Sequence, residues 1–326
     1  MEFYAIIGNP PYQRDSGALN ATNIYLDFFA LSIRLDVRHI SLIMPSRWMF
    51  NLGQSLDHGL VLSLLRSDKF AFISHFPKSK MIFPTVDVGG GVAFFLYSQE
   101  GTPSPVILDQ LDIGSAILDD KAAGIIGKIT AIEGDYIHDT SRSFASLVSP
   151  RHLFDDDNVL NTNWTGFSLT KDDQHPIDYY FNKNLGNEGH AYISYDDVHL
   201  NKDYIRLHKV LYPLTYGDYA REQRQVIAMP FHIPPPSACS ATFMTVADLD
   251  GGWDSETCES VISYMRSRLF RYLLSLLKPA QNATRQSFRL IPLVPFDRTY
   301  DDEYLFERYG LDDDMRRHIE KKISDL

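Results

Sequence analysis

The chain has 326 residues, of which 44% are hydrophobic and 22% are charged, and its formal net charge is −11. These values are typical of a globular protein with a sizeable core, and they exclude a largely disordered chain. The acidic balance also excludes a protein that coats nucleic acid through bulk charge, so any such contact must come from a local basic patch.

No apolar run reaches the roughly 18 residues that a membrane-spanning helix needs. The first residues lack a basic region, and a double proline follows too early for a signal peptide. We therefore expect a cytoplasmic chain that does not contact a membrane. Cys239 and Cys258 are the two cysteines, and neither lies in a Cys-x-x-Cys or Cys/His cluster. We expect them to be reduced, buried thiols and expect no metal site.

The first hundred residues alternate between strand and helix patterns. Four short apolar runs predict buried strands: residues 3–7, 39–44, 70–75 and 92–97. Two segments carry apolar residues at helical spacing and predict helices between those strands: residues 23–35 and 56–65. This alternation predicts an α/β module of the doubly wound kind.

The alternation ends after a linker-like stretch at residues 99–105. Beyond it we predict a strand at residues 241–246, the longest helix of the chain at residues 254–277, and a charged helix or pair of helices at residues 301–326. The chain therefore divides into three predicted parts: an α/β module at residues 1–99, an α+β region at residues 106–290, and a helical tail at residues 291–326.

The first predicted strand runs directly into Gly8-Asn9-Pro10-Pro11-Tyr12. The two prolines fix the backbone, so the side-chain carbonyl of Asn9 and the main-chain carbonyl of Pro10 are presented at a set angle. Two acceptors suit the amino group of a base that has been flipped out of a duplex, and Tyr12 offers a ring to stack on that base. The alternative is a proline-rich turn that only ends a strand.

This motif resembles the Asn-Pro-Pro-Tyr signature of the gamma-type DNA adenine-N6 methyltransferases of type II restriction–modification systems. Other stretches resemble the same family and extend the likeness over almost the whole chain: residues 45–48 (PSRW), 73–77 (ISHFP), 82–86 (IFPTV), 90–96 (GGVAFFL), 269–273 (LFRYL) and 304–311 (YLFERYGL). The Asn-Pro-Pro-Tyr motif is the specific signal, and the later stretches support it.

The resemblance implies methyl transfer from S-adenosylmethionine to adenine N6 in a specific sequence of double-stranded DNA. It implies that the catalytic residues are Asn9, Pro10, Pro11 and Tyr12, and that Tyr12 and Phe83 stack on the two sides of the target base. Residues 1–99 would then be the C-terminal half of the catalytic domain, with a partial Rossmann-like methyltransferase sheet. Residues 106–290 would be the target-recognition region.

The family carries the glycine-rich turn that holds S-adenosylmethionine ahead of this motif, whereas only seven residues precede Gly8. Residues 245–252 (TVADLDGG) combine a strand, acids and glycines but lack a G-x-G turn, and residues 89–91 favour a turn between strands. We therefore expect the main cofactor-binding half to be absent and this chain alone to be inactive. A homodimer, or a partner chain that supplies that half, would cover the first strand.

Two other interpretations remain open for the chain as a whole. It would be a catalytically inactive DNA-recognition subunit or remnant if the cofactor half has been lost. It would be an unrelated enzyme if the Asn-Pro-Pro-Tyr motif is fortuitous. A titration with S-adenosylmethionine separates an active methyltransferase from a binding remnant.

Residues 264–289 contain six basic residues and no acidic one, on a chain that is acidic overall. Basic side chains contact DNA phosphates, and Gln and Asn side chains read base edges. We therefore predict that DNA is bound by Arg266, Arg271, Lys278, Gln281, Asn282, Arg285 and Arg289. The alternative is a solvated helix face followed by a polar loop.

Overall fold

The computed structural model describes residues 3–14, 22–50, 58–101, 108–218, 221, 223–278 and 281–326. The chain divides into two compact units, Met1–Ala123 and Gly124–Leu326. Within the described ranges it is a mixed α/β protein with several small sheets and seven α-helices. None of the helices in those ranges is long and apolar enough to span a membrane.

The first unit contains the predicted alternation of strands and helices. In chain order its elements are β1 (Ala5–Gly8), β2 (Gln13–Arg14), β3 (Thr22–Asn23), α1 (Tyr25–Arg34), β4 (His39–Pro45), α2 (His58–Leu65), β5 (Phe70–Phe76) and β6 (Val92–Ser98). The four strands and two helices predicted for this region all occur, and the bounds of most of them differ by one or two residues. The start predicted for the second helix lies outside the described residues.

Four of these strands form one sheet in the order β1-β4-β6-β5. β1 is parallel to β4, whereas β6 is antiparallel to both β4 and β5. β1, β4 and β5 therefore run in one direction. Their carboxyl ends lie on the same side of the sheet, which we call its carboxyl edge. β1 is an edge strand of this sheet, and the side chains of Phe3, Tyr4 and Ile7 are exposed.

The core of the first unit is built on aromatic side chains from the sheet and from α1. Phe29 of α1 is fully buried and packs against Trp48, Phe70 and Phe95 at ring-centroid distances between 5.0 and 6.5 Å. Buried residues beyond the predicted boundary at residue 99, including Ala116, also belong to this core. The first unit therefore extends further along the chain than the sequence predicts, because residues after the linker complete its core.

The second unit combines helices with two three-stranded sheets. Its elements are α3 (Ala122–Glu133), which begins at the boundary, β7 (Ile177–Tyr180), β8 (His190–Ile193), β9 (Lys209–Pro213), β10 (Phe231–Ile233), β11 (Ser237–Cys239), β12 (Phe243–Val246), α4 (Ser255–Arg266), α5 (Arg268–Leu276), α6 (Asp302–Arg308) and α7 (Asp313–Lys322). The sheets have the strand orders β10-β9-β12 and β11-β7-β8. Cys239 and Cys258 are buried free thiols in this unit.

The prediction of one long helix over residues 254–277 is wrong. Ser267 takes an extended conformation (φ −60°, ψ 148°), so the segment forms α4 and α5 instead. The Ser267 hydroxyl accepts a hydrogen bond of 3.2 Å from the backbone N–H of Phe270 and thereby caps α5. The predicted tail is not a separate part either, because α6 and α7 pack on α5 within the second unit.

Candidate active site

The Asn-Pro-Pro-Tyr segment begins where β1 ends. Gly8 is the last residue of β1 and pairs with Leu42 of β4, and the Asn9 side chain that follows is exposed. Pro10 is buried and Pro11 is exposed, so the segment is anchored at Pro10. Within the residues that the structure describes, no hydrogen bond is recorded for the Asn9 amide. The exposed Asn9 side chain lies at the carboxyl end of a parallel strand, the position where α/β sheets bind ligands.

Packing of its ring against the core of the first unit holds Tyr12 in place, rather than a hydrogen bond of its hydroxyl within the described residues. Its ring is half-buried and packs against that core, and its main-chain carbonyl accepts a hydrogen bond of 3.3 Å from the N–H of Ile24. The hydroxyl oxygen is buried and has no partner among the described residues. Burial raises the pKa of this hydroxyl above its usual value, so it is a neutral donor at physiological pH.

The carboxyl ends of β4 and β5 meet at one point of the sheet. Pro45, the last residue of β4, and Phe76, the last residue of β5, both pair with Val92 at the start of β6. Because β1 runs parallel to β4, the Asn9 segment also leaves the sheet at this edge. The Pro-Ser-Arg-Trp, Phe-Pro and Gly-Gly-Val stretches, which are separated in the sequence, are therefore brought to the same edge.

A hydrogen-bond network fixes this edge. The Ser46 hydroxyl donates to the Gly90 carbonyl at 2.6 Å, and His75 Nε2 lies 3.2 Å from Ser46 Oγ and 3.0 Å from the Gly90 oxygen. A carbonyl oxygen only accepts, so Nε2 of His75 carries the hydrogen. Burial lowers the pKa of His75 and outweighs the opposing effect of its bond to Gly90, so the ring is neutral near pH 7. Ser46 lies in the Pro-Ser-Arg-Trp stretch and His75 in residues 73–77, and no sequence pattern indicates that the two side chains meet.

The glycine turn is packed against the end of β5. Gly91 has φ +82°, and a Cβ atom there would overlap the carbonyl oxygen of Phe76 and lie 2.7 Å from Cα of Pro77. Only glycine fits this position without displacing backbone.

Phe83 lies on a short loop that is braced to the same turn. The Ser79 hydroxyl donates to the Val86 carbonyl at 2.9 Å and accepts from the Val88 N–H at 2.8 Å. Phe83 itself is half-buried, and its N–H donates to the Ser79 carbonyl at 2.8 Å. No ring contact between Tyr12 and Phe83 is recorded in the described part of the chain. Their arrangement around a base therefore remains a prediction.

Trp48 of the Pro-Ser-Arg-Trp stretch is a core residue. It is fully buried and stacks on Phe70 with a centroid distance of 6.0 Å and an interplanar angle of 26°. Arg47 beside it is exposed. Trp48 thus packs the residues after β4 into the core. Ser46, two residues earlier, takes part in the hydrogen-bond network at the carboxyl edge.

Two of the predicted DNA-binding residues are buried in the second unit. Arg271 is 1% exposed and Lys278 is 0% exposed, and both donate to backbone carbonyls. The prediction that they contact phosphates is wrong, because a buried cation that bonds to the protein cannot reach DNA. Among the other predicted residues, Arg266, Gln281 and Arg285 are exposed, whereas Asn282 and Arg289 are half-buried.

The two glycine segments weighed from the sequence lie in different settings. Residues 89–91 form a turn before β6, as described above. Residues 245–252 begin in β12, which pairs antiparallel with β9, whereas cofactor turns of doubly wound folds follow parallel strands.

Comparisons with known proteins show similarity to methylases. Residues 1–83 match the family described as Eco57I restriction-modification methylase, and this match includes the whole Asn9–Tyr12 segment and Phe83. The chain is also 32% identical over 101 residues to an uncharacterized adenine-specific methylase of Mycoplasma pneumoniae, which corresponds to 30% of this chain and 24% of that relative. The two matches support a restriction–modification methylase family, which means a DNA methyltransferase at the level of the family.

A solved structure described as the type IIG restriction endonuclease BpuSI is similar over 94% of this chain and 48% of that chain. The identity is 12% and the TM-score is 0.30, which is too low to support an argument about the fold. This chain thus spans about a quarter of the matched methylase and about half of the solved chain.

Proposed function

We propose that the chain belongs to a site-specific DNA adenine-N6 methyltransferase and supplies the part that holds the target base. The observation that carries this proposal is the exposed Asn9 side chain, which follows the carboxyl end of β1 and has no recorded partner among the described residues. The match of residues 1–83 to restriction–modification methylases supports it.

The proposed chemistry acts on the amino nitrogen of adenine. This nitrogen is a poor nucleophile because its lone pair is delocalised into the ring. The Asn9 side-chain carbonyl and the Pro10 main-chain carbonyl accept its two hydrogens and favour the tetrahedral geometry in which the lone pair can attack. Pro11 keeps the two acceptors at a fixed angle. S-adenosylmethionine, the methyl donor that the family resemblance implies, supplies the methyl group when it is bound.

The flipped base needs aromatic faces as well as acceptors. We assign these faces to Tyr12 and Phe83. Packing against the core fixes the Tyr12 ring, and the Ser79 bonds brace the loop of Phe83, so both rings are supported before a base enters. The buried Tyr12 hydroxyl without a partner is then satisfied by the bound base or by a water held with it.

The second unit would serve as the target-recognition region. It presents Arg266, Gln281 and Arg285 on its surface, and these side-chain types contact phosphates and base edges. A local patch of this kind reconciles DNA binding with the net charge of −11. DNA is thus the proposed substrate of the whole protein.

Mapping modified bases tests this proposal directly. The chain is expressed within its own gene neighbourhood in a host without adenine methylation, and modified bases are mapped by long-read sequencing. We expect N6-methyladenine at one defined sequence with the wild-type chain and its loss with Asn9→Ala. Methylated cytosine, or adenine methylation that Asn9→Ala leaves unchanged, would overturn the proposal. Sequence-specific DNA binding without any methylation would favour the DNA-recognition remnant.

A further inference from the structure

Two polar loops that lie far apart in the sequence are joined side by side in the second unit. Thr215 and Asn282 form an antiparallel bridge, and the Thr215 hydroxyl donates to Asn282 Oδ1 at 3.0 Å. The N–H of Tyr216 donates to the Gln281 carbonyl at 2.7 Å, and the N–H of Ala283 donates to the Leu214 carbonyl at 3.0 Å. Thr215 and Gln281 are exposed, so the joined loops form a polar surface.

The buried Lys278 supports this surface from inside. Its ammonium group donates to the Tyr216 carbonyl at 2.8 Å, which fixes the first loop directly beside the bridge. Arg271 acts less directly: it donates to the carbonyl of Gln225 at 3.5 Å, and the Gln225 side chain accepts a hydrogen bond of 2.7 Å from the Tyr216 hydroxyl. These bonds give a role to two cations that cannot touch DNA themselves.

An ion pair lies behind the bridge. Burial lowers the pKa of Lys278, and Arg224 lowers it further whereas Asp218 raises it. Asp218 Oδ1 lies 3.6 Å from Arg224 Nε, and Asp218 Oδ2 accepts a hydrogen bond of 2.8 Å from the N–H of Val226.

Next to Gln225, the backbone at Val226 is held in a conformation that its side chain disfavours. Val226 is buried and has φ +74°, a left-handed value that is rare for a β-branched residue. Such strain persists only where the surroundings determine it, and it concentrates at sites that bind or react. The bond from Val226 to Asp218 links this strain to the same group of buried charges.

We propose that the bridged surface, defined by Thr215, Gln281 and Asn282, contacts double-stranded DNA together with Arg285, which begins the next turn of the chain and donates from Nε to the Ala145 carbonyl at 2.9 Å. Lys278 and Arg271 are positioning residues for this surface. This inference rests on the proposed function and names the part of the second unit that meets the substrate. Arg285 contacts phosphate, and the amides of Gln281 and Asn282 meet base edges. Thr215, which the sequence did not suggest, orients the Asn282 amide.

A pair of buried lysines provides a matched test. Lys209 is as fully buried as Lys278, but it donates to Leu207 and Ser237 and does not contact either loop. We compare Lys278→Met with Lys209→Met in fluorescence-anisotropy titrations of the full chain. The probe is a labelled duplex that carries the sequence enriched by the wild-type chain from a randomised library. Thermal unfolding of both variants separates a loss of binding from a loss of folding.

We expect Lys278→Met to weaken binding about tenfold and Lys209→Met to leave it unchanged. Thr215→Val, an exposed and nearly isosteric change, should weaken the enriched duplex more than an unrelated duplex. Arg285→Ala should reduce the slope of log affinity against log salt by about 0.9, as expected for one lost phosphate contact.

The proposal of this surface is wrong if the wild-type chain binds the duplex and the Lys278, Thr215 and Arg285 variants bind it equally well. It is also wrong if Lys209→Met weakens binding as much as Lys278→Met, because general loosening would then explain the effect. A wild-type chain that binds no duplex even at about 50 mM salt would overturn the proposed function, and this surface with it.

Discussion

Ser46 Oγ and His75 Nε2 lie 3.2 Å apart at the carboxyl edge of the first sheet. This contact joins the end of β4 to the end of β5, and both atoms also reach the Gly90 carbonyl. The Asn9 segment leaves the sheet at this same edge. The hydrogen bonds that hold the strand ends together there come from side chains outside the Asn-Pro-Pro-Tyr motif.

We expect Ser46→Ala to destabilise the chain by about 1 kcal/mol, because it removes the buried hydrogen bond from the Ser46 hydroxyl to the Gly90 carbonyl while the His75–Gly90 bond remains. Urea unfolding measures the change in the free energy of unfolding. Ser63→Ala is the control, since Ser63 is exposed and bonds only to the nearby Leu60 carbonyl. Equal stability of the two variants would show that the Ser46–His75 contact contributes nothing.

Glycine positions in the adjoining turn should differ sharply in their tolerance of alanine. Gly91→Ala meets backbone atoms of Phe76 and Pro77 and must also adopt φ +82°, so we expect a loss of about 2 kcal/mol or more. Gly89→Ala meets no atom within 4 Å and should be close to neutral. Thermal unfolding of the two variants is the measurement, and a similar midpoint for both would contradict the packing described here.

Stability should rise with pH just above neutrality. Burial lowers the pKa of Lys209 and of Lys278 to about 7, whereas both lysines titrate at 10.5 in the unfolded chain. The unfolded state therefore binds more protons between these values, and raising the pH from about 7 to about 8.5 should add about 1 kcal/mol per lysine. Urea unfolding at the two pH values should show this gain, and the Lys209→Met/Lys278→Met double variant should lose it.

The two thiols should oppose that trend above pH 9. Burial raises the pKa of Cys239 to about 11 and that of Cys258 to about 12, above the value of 9.0 in the unfolded chain. Stability from this source is present below pH 9 and is lost as the pH rises further. Between about pH 9 and about pH 10 the free energy of unfolding of the Cys239→Ala/Cys258→Ala double variant should change more favourably with pH than that of the wild-type chain, and an equal slope would contradict the burial of these thiols.

The exposed apolar edge of the first unit should promote association. Ile7 of β1 is 81% exposed, and edge strands with apolar side chains pair with other chains. We expect self-association of the wild-type chain in analytical ultracentrifugation at high micromolar concentration and its loss with Ile7→Lys. Leu249→Lys, which changes an exposed leucine of the second unit, should not affect it. A wild-type chain that remains monomeric would contradict this prediction.

The first unit was largely predictable because its signals are local. Apolar runs that end at Pro45 or begin after Gly91 mark strands, and the helical spacing of α1 is unambiguous. The position of Asn9 just beyond a strand followed from the same pattern. The Ser46–His75 network could not be predicted, because it depends on how strands that are separated in the sequence align in the sheet.

The second unit shows where sequence patterns are insufficient. A basic residue has the same charge and the same sequence spacing whether its side chain is exposed or packed against a loop. The sequence pattern therefore indicated phosphate contacts for Arg271 and Lys278, which are buried. The break between α4 and α5 was missed because the apolar periodicity continues across Ser267, whose capping bond appears only in the fold. Tertiary packing determined both outcomes.

We propose that Asn9 and Pro10 hold the amino group of adenine, and nucleoside binding to the chain tests this role directly. Saturation-transfer NMR compares adenosine with N6,N6-dimethyladenosine, which has no N6 hydrogen to donate. We predict that the wild-type chain prefers adenosine by about fivefold or more and that Asn9→Ala removes the preference, while Asn163→Ala, a change of an exposed asparagine in the second unit, keeps it. Equal binding of the two nucleosides by the wild-type chain, or an unchanged preference in Asn9→Ala, would contradict the proposed contact between Asn9 and the amino group.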